Sequence, residues 1–284
     1  MEKTTKEKIM KLEYLHKDDS YKNEIPKLLL DEKITLEEKE KNGLYLFSFT
    51  IVGENEESAK YLCEMKEQIT TTFQNNMPFL LTDEAGEYFN KRLYPYFNKF
   101  ERLLRKVLFL VSIKENNSSA LEIAKKLETS DFGEIYESIF TSKTFREEVK
   151  LEVVKNSNNI FSKSEIIEKI KNMKEETIWN KMFAGNYEYI STHFLEIKNY
   201  RNDIMHAHNI SYATYTKALK LIEKANSELE NIISSCLSEN LTISSGVAKM
   251  LGAIILALGT FAVALNEVVK EGFVNALSNA LESK

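Results

Sequence analysis

The distribution of proline constrains the fold of this chain more than any other feature. The three prolines are Pro26, Pro78 and Pro95, so residues 96–284 contain none, and glycine is sparse until residue 246. Long stretches without these helix breakers, rich in Leu, Ile, Lys, Glu and Asn, favour α-helix. The sequence therefore predicts a mainly α-helical protein.

The N-terminal part is the exception. Residues 43–53 are aromatic and β-branched and are bounded by glycines, which predicts a strand. Residues 55–74 are predicted to form a helix, and residues 79–82 a second strand. The charged residues 1–42 are expected to form short helices or a mobile arm. Together these elements predict a small α/β or α+β unit over residues 1–86.

Helical periodicity dominates the rest of the chain. Apolar residues recur every 3.6 positions from residue 87 to 114, and Pro95 is predicted to mark the true start of that helix. Further helices are predicted over residues 120–128, from Phe132 onwards, over 187–206, and after an N-cap at Ser211. Trp179 is predicted to be a core anchor rather than a cofactor ligand.

The C-terminal tail, residues 241–284, is hydrophobic and amphipathic. Residues 250–265 carry no charge, and the apolar span approaches the ~20 residues that a transmembrane helix needs. Two alternatives remain open: residues 244–284 associate with a membrane, or they form a buried helix that closes the bundle or a dimer. The predicted location is the cytoplasm, with attachment to the inner face of the membrane under the first alternative.

Composition excludes several classes of protein. The net charge of −5 gives no general electrostatic attraction to nucleic acid, so RNA would have to be held by a local basic patch or between subunits. Cys63 and Cys236 have no metal-site spacing and suggest no disulfide framework, which is typical of a reducing cytosol. The N-terminus has no secretory signal pattern. The sequence contains neither a glycine-rich nucleotide loop nor a metal-binding motif.

The most informative stretch is residues 200–208, which read Tyr-Arg-Asn-Asp-Ile-Met-His-Ala-His. Arg201 and His206 are five positions apart, about 140° of rotation on a straight helix, so their side chains do not share a face. The two can act together if the helix ends between them or if a second copy of the chain supplies the partner. Turn signals at 207–211 favour the first alternative and place His206 at a helix C-terminus, where the dipole favours the imidazolium form.

These residue types fit metal-independent cleavage of RNA. Such cleavage needs a proton taken from the 2′-hydroxyl, a proton given to the leaving 5′-oxygen, and stabilisation of a charged phosphorane. Histidine transfers protons near neutral pH, and arginine binds phosphate oxygens with two donors. Arg201 and His206 are therefore the catalytic candidates, Asn202 a support for the phosphate or the arginine, and His208 a second acid–base group or substrate contact. The simpler alternative is that His206 only caps the helix; His193 is predicted to be structural.

The same stretch carries a resemblance to a known family. Residues 197–206, followed by a turn and a helix beginning at Tyr212, resemble the HEPN superfamily, whose signature is an arginine, a polar residue, a few further residues and a histidine. Arg201, Asn202 and His206 match that signature.

Two further stretches resemble the same family. Residues 96–105 are similar to its first long helix, and residues 127–135 to a linker of its abortive-infection members, so the resemblance covers roughly residues 87–236. It implies a helical bundle that forms a homodimer or higher oligomer, with two Arg–His pairs facing one cleft. It also implies an endoribonuclease without metal or cofactor, typical of phage defence, abortive infection and toxin systems, some with an antitoxin partner.

The sequence thus predicts three regions: a small α/β unit over 1–86, a HEPN-like helical domain over 87–240 and the tail over 241–284. The expected function is RNA cleavage by 2′-hydroxyl attack in stress or phage defence. The alternative is a catalytically silent HEPN-type dimerisation or sensor module that acts through a membrane-associating tail.

Overall fold

The structure is a computed structural model. It describes residues 8–17, 24–28, 32–74, 76–142, 164–165, 167–168, 177–184, 186–238 and 241–258. These residues form four strands and eight α-helices, so the protein is mainly helical with a small antiparallel sheet near its N-terminus. The fold class is confirmed at this level.

The elements are numbered along the chain. The strands are β1 (Ile9–His16), β2 (Ile34–Lys41), β3 (Leu44–Val52) and β4 (Phe79–Asp83). The helices are α1 (Glu56–Thr72), α2 (Glu84–Ile113), α3 (Ala120–Thr129), α4 (Phe132–Ile139), α5 (Ile178–Phe183), α6 (Glu188–Met205), α7 (Tyr212–Leu237) and α8 (Ser245–Ala257). The predicted strands at 43–53 and 79–82 and the predicted helices at 55–74, 120–128 and 187–206 are confirmed.

The described residues belong to two compact units. One comprises Met1–Lys99 with Glu196–Lys224, and the other Phe100–Leu195 with Ala225–Lys284. The predicted domain bounds at residues 86 and 240 stay predictions. All four predicted site residues, at positions 201, 202, 206 and 208, belong to the first unit.

The sheet has the strand order β2-β3-β1-β4, with every pair antiparallel. The expectation of short helices or an arm over residues 1–42 is wrong for Ile9–His16 and Ile34–Lys41, which form β1 and β2, but the short 3₁₀ helix at Ile25–Leu28 agrees with it. The two-residue turn between β2 and β3 explains the hairpin: Asn42 and Gly43 both have positive φ, 56° and 73°. A type I′ turn needs this conformation at both positions, and Asn-Gly adopts it readily.

One face of the sheet forms the core of the first unit. Alternate residues of β1 and β3 are buried and oppose each other across the ladder, and α1 packs against both strands with its own buried side chains. The buried residues of this layer include Met10, Leu12, Tyr14, Phe47, Phe49, Ile51, Leu62, Met65 and Ile69.

The helix α2 begins earlier than the sequence predicts. Its first residue is Glu84, and Pro95 lies inside it, so the prediction that Pro95 marks the start is wrong. Asp83 explains the early start because its Oδ1 accepts a hydrogen bond from the N–H of Gly86 at 2.9 Å. The other carboxylate oxygen of Asp83 pairs with Lys66 Nζ at 2.5 Å. The last residue of β4 therefore caps the long helix and pairs with α1.

The second unit has an aromatic core. Phe194 of α6 stacks on Phe132, Tyr136 and Phe140, with ring centroids 5.5, 5.4 and 3.6 Å away. Trp179 is fully buried, and its Nε1 donates to the carbonyl of Tyr187 at 3.1 Å. The predicted role of Trp179 as a core anchor is confirmed.

The described part of the tail packs inside the second unit. The helix α8 buries Ala248, Leu251, Gly252 and Ile255 and packs against α3 and α5. A Cβ at Gly252 would collide with the side chain of Asn116, so the helix approaches its neighbour closely here. This agrees with the buried-helix alternative for residues 245–258. Among the described residues, none of the helices has the length and apolar character to cross a membrane; the predicted apolar and amphipathic residues from 259 onwards lie outside the described part.

Candidate functional site

The turn after α6 carries two of the four predicted site residues. The N–H of His208 donates to the carbonyl of Asp203 at 2.8 Å, and the N–H of Ala207 donates to that of Ile204 at 3.2 Å. Ala207 is left-handed, with φ of 52°. This is the Schellman arrangement that satisfies the last carbonyls of a helix. It reverses the chain immediately after His206.

The geometry of this turn bears on how Arg201 and His206 act together. The helix α6 ends at Met205, but the N–H of His206 still donates to the carbonyl of Asn202 at 2.9 Å. The rotation from Arg201 to His206 is therefore that of a continuous helix, about 140°. The end of the helix does not bring the two side chains onto one face. The helix thus ends between the two residues, as the first alternative from the sequence expects, and the second alternative, a partner group from another copy of the chain, stays a prediction.

The four predicted residues have different environments. Arg201 is half-buried, and its Nη1 donates a long hydrogen bond, 3.4 Å, to Oδ1 of Asn202. His206 is exposed, and its side chain makes no hydrogen bond with any other described residue. His208 is exposed too, but its Nδ1–H donates to Oδ1 of Asp203 at 2.9 Å. The two imidazole rings are 5.9 Å apart, measured between centroids.

These environments favour different roles. The carboxylate of Asp203 orients the ring of His208 and leaves Nε2 as its outward nitrogen, the usual arrangement of an oriented acid–base histidine. His206 is available to a ligand. Tyr200, directly before Arg201, is a poor base because burial, and then the nearby Glu196, raise the pKa of its hydroxyl.

Contacts from α1 and α2 hold the turn in place. Asn90 of α2 donates from Nδ2 to the carbonyl of His208 at 2.9 Å. Since a carbonyl only accepts, this fixes the orientation of the amide. Cys63 of α1 is buried, and its thiol lies 3.8 Å from the carbonyl of Ile210, within reach of a weak hydrogen bond. The residues on both sides of His208 and Ile210 are therefore tied to neighbouring elements.

The start of α7 is fixed as the sequence predicts. Ser211 is the N-cap, because its Oγ accepts from the N–H of Thr214 at 3.1 Å. One turn later, the ring of Tyr215 stacks on Phe89 of α2 with centroids 4.7 Å apart. Hydrogen bonds thus fix both ends of the turn between α6 and α7.

A groove opens beside this turn within the first unit, with a cavity volume of about 470 Å³. We call it the α2 groove. One wall is formed by Asp83 and by Glu87, Asn90, Lys91 and Tyr94 of α2, and the other by Ile204, Ala207 and Asn209. Arg201, His206 and His208 do not line it. Arg201 lies three residues before Ile204 on α6, so it is a near neighbour on the same side of the helix.

No family model, curated protein or solved structure matches this chain in the comparisons made. Among the described residues, no group of three or more His, Cys, Asp or Glu side chains is placed to hold a metal ion. Cys63 and Cys236 are both buried free thiols.

Reasoning from the sequence missed Asp203 and the groove residues of α2. Asp203 sits between Arg201 and His206 in the sequence, and its pairing with His208 depends on the chain reversal at Ala207. The residues of α2 had a weak signal: Tyr94 lies on the otherwise charged face of a long helix and is about half-exposed, at 48%. An exposed tyrosine on such a face suggests a binding surface.

Proposed function

We propose that this protein is a metal-independent endoribonuclease of HEPN type that acts as a dimer, with Arg201 and His206 as its catalytic residues. One observation carries the proposal. Arg201 lies in the last turn and a half of α6, and His206 directly follows the helix, exposed and with no hydrogen bond from its ring to the described residues. Arginine with an available imidazole is the combination that phosphodiester cleavage needs.

In the proposed reaction, an imidazole accepts the proton of the ribose 2′-hydroxyl. The 2′-oxygen attacks the adjacent phosphorus, and the bond from phosphorus to the 5′-oxygen breaks. A protonated group returns a proton to that oxygen, which leaves a 2′,3′-cyclic phosphate and a 5′-hydroxyl. His206 and His208 are the candidates for the two proton transfers, and the Arg201 guanidinium stabilises the charge on the phosphorane. Asn202 positions the guanidinium.

The dimer is part of the proposal because of the helix geometry. On one chain, Arg201 and His206 point about 140° apart. A two-fold axis beside the end of α6 would place the arginine of one protomer opposite the histidine of the other. The proposal includes the finer fold, in which the helices from residue 87 to 240 form a HEPN-like bundle that presents this surface to its copy.

The direct test is incubation of the purified protein with RNA in EDTA. We expect cleavage, products with 2′,3′-cyclic phosphate ends, and no cleavage of the same sequence as DNA or 2′-O-methyl RNA, because those lack the nucleophile. Arg201→Ala and His206→Ala should each abolish the activity. Cleavage that neither substitution changes would remove these residues from the mechanism, and cleavage that EDTA stops would remove the proposed chemistry.

Mixing the two inactive variants tests the dimer. In a dimer of one Arg201→Ala chain and one His206→Ala chain, a site built from both protomers is intact at one of the two positions. Random pairing should therefore restore about a quarter of the sites of the native enzyme. If both residues act from one chain, mixing restores nothing. Each variant refolded alone is the control.

A further inference from the structure

We infer that the α2 groove binds one nucleobase of the RNA next to the scissile phosphate and prefers bases that carry an exocyclic amino group. This inference rests on the proposed function and extends it to the choice of substrate. The volume of about 470 Å³ lies within the range of ligand pockets, about 300–1,000 Å³. The groove is therefore large enough for a base together with part of its sugar.

The groove offers a stacking surface. Tyr94 is 48% exposed and lines one wall, and the buried side chain of Ile204 lines the other. Stacking on an exposed aromatic ring is a common way in which proteins bind single-stranded nucleic acid, because every base has a π face. A base between the Tyr94 ring and the apolar wall would be held on both sides.

The charges of the groove favour a base over a phosphate. Among the described lining residues the basic side chain is Lys91, which pairs with Glu87 at 2.7 Å. The other acid, Asp83, pairs with Lys66 at 2.5 Å and is nearly buried. The lining therefore has no excess of positive charge for an anion. We assign the phosphate to Arg201 and an uncharged base to the groove.

The lining offers side-chain acceptors to a base. Glu87 presents a carboxylate and Asn209 an amide oxygen. Adenine, cytosine and guanine carry amino donors that such acceptors can bind, whereas uracil carries no amino group. The preference follows from this difference.

The position of the groove suits the binding of a base next to the scissile phosphate. Ile204 and Ala207 form its wall, and Arg201 lies one helical turn before Ile204 on nearly the same side of α6. A phosphate bound by Arg201 would thus have the groove as its neighbour. The hydrogen bond from Asn90 to the carbonyl of His208 joins the same wall to the catalytic turn.

The first test uses DNA oligonucleotides that contain one ribonucleotide, so cleavage has one possible position. The base on each side of the cleaved bond is varied in matched pairs: cytosine against uracil, and adenine against purine without its amino group. We expect kcat/KM to be about tenfold higher for the amino-bearing base on one of the two sides, the effect of one lost hydrogen bond. Equal rates for both pairs at both sides would overturn the inference.

The second test changes the stacking surface. Tyr94→Ala should weaken the binding of an uncleavable 2′-O-methyl oligonucleotide by roughly 5- to 150-fold, whereas Tyr94→Phe should keep it. Tyr96→Ala is the matched control, since Tyr96 is an exposed tyrosine of the same helix outside the lining of the groove. Thermal unfolding of each variant shows whether it is folded.

The two proposals fail separately. Binding that depends on Tyr94 in a protein that cleaves no RNA would sink the ribonuclease and keep the base site. Cleavage that depends on His206, with binding and base preference indifferent to Tyr94→Ala, would keep the ribonuclease and sink the base site. A groove that holds a protein side chain instead of a base would give the second result.

Discussion

The two ends of α6 contrast strongly. Near its N-terminus, Phe194 lies in a stack of aromatic rings, and the Nδ1–H of His193 donates to the carbonyl of Tyr189 at 2.9 Å. At its C-terminus, His206 is exposed, and its ring has no hydrogen-bond partner in the part of the chain that is described. His193 thus has the structural role predicted for it.

The contrast teaches how to separate a structural histidine from a candidate catalyst. The ring of His193 contacts Tyr189 and donates a hydrogen bond within its own turn, so local structure accounts for it. The ring of His206 makes no comparable contact within the described part of the chain. Any polar side chain could take its exposed position without loss of stability. An exposed residue of this kind is a candidate for contact with a ligand.

The largest expected effect comes from substituting His206 and His193 one at a time. His206→Asn should lower kcat/KM for RNA about 10²- to 10⁴-fold, the range for a lost acid–base group, with unchanged thermal unfolding. His193→Asn should leave cleavage unchanged and lower the free energy of unfolding by about 1 kcal/mol. Equal losses of activity in the two variants would remove the distinction between the two ends.

The next effect tests the aromatic end. Phe194→Ala should lower the free energy of unfolding by about 3–5 kcal/mol, because it leaves a cavity among stacked rings. Leu195→Ala is the control: it is the next residue but is 56% exposed, so the expected change is within about 0.5 kcal/mol. Denaturant titration measures both. Similar values would mean that the aromatic stack contributes little.

The third prediction concerns the Cys63 thiol, which contacts the carbonyl of Ile210 in the turn after α6. Burial raises the pKa of Cys63 to about 11, from 9.0. The fold therefore favours the protonated thiol: its contribution is fully present below pH 9 and is lost as the pH rises through 11. This loss is at most about 2–3 kcal/mol. Subtracting the stability curve of Cys63→Ala isolates it, and a difference that stays constant from pH 8 to 11 would contradict it.

The smallest effect is at the turn itself. Ala207 adopts a left-handed conformation that costs an L-residue roughly 1 kcal/mol and costs glycine nothing sterically. Ala207→Gly should therefore raise the free energy of unfolding by up to about 1 kcal/mol, measured by denaturant titration. Gly133→Ala is a useful comparison, since Gly133 has no positive φ. A destabilised Ala207→Gly variant would mean that the methyl group contributes packing.

Periodicity predicted most of the helices and the turn after α6, because each helix buries one apolar face. It failed for β2, whose sequence Ile-Thr-Leu-Glu-Glu-Lys-Glu-Lys alternates only over its first half. An edge strand with one open face tolerates such charges. The Asn-Gly pair at residues 42–43 was the signal that could have revealed the hairpin.

The sequence proposed the residues of the candidate site but could not give their arrangement. The spacing of five positions between Arg201 and His206 showed that their side chains would not share a helix face. The pairing of Asp203 with His208 depends on a left-handed alanine, which no sequence preference indicates. Pro95 misled the prediction because Asp83 caps α2 three turns earlier. The α2 groove combines residues more than 100 positions apart, and such contacts have no local signature.

The double engagement of Asp83 has a practical consequence. One oxygen of its carboxylate caps the N-terminus of α2, and the other forms an ion pair with Lys66 of α1. The last residue of the sheet therefore links the sheet to both helices. A chain shortened to begin at residue 87 would lose the first residues of α2, together with the cap that Asp83 provides and its ion pair with Lys66. In deletion experiments, we expect that removing the small sheet also disrupts the candidate site.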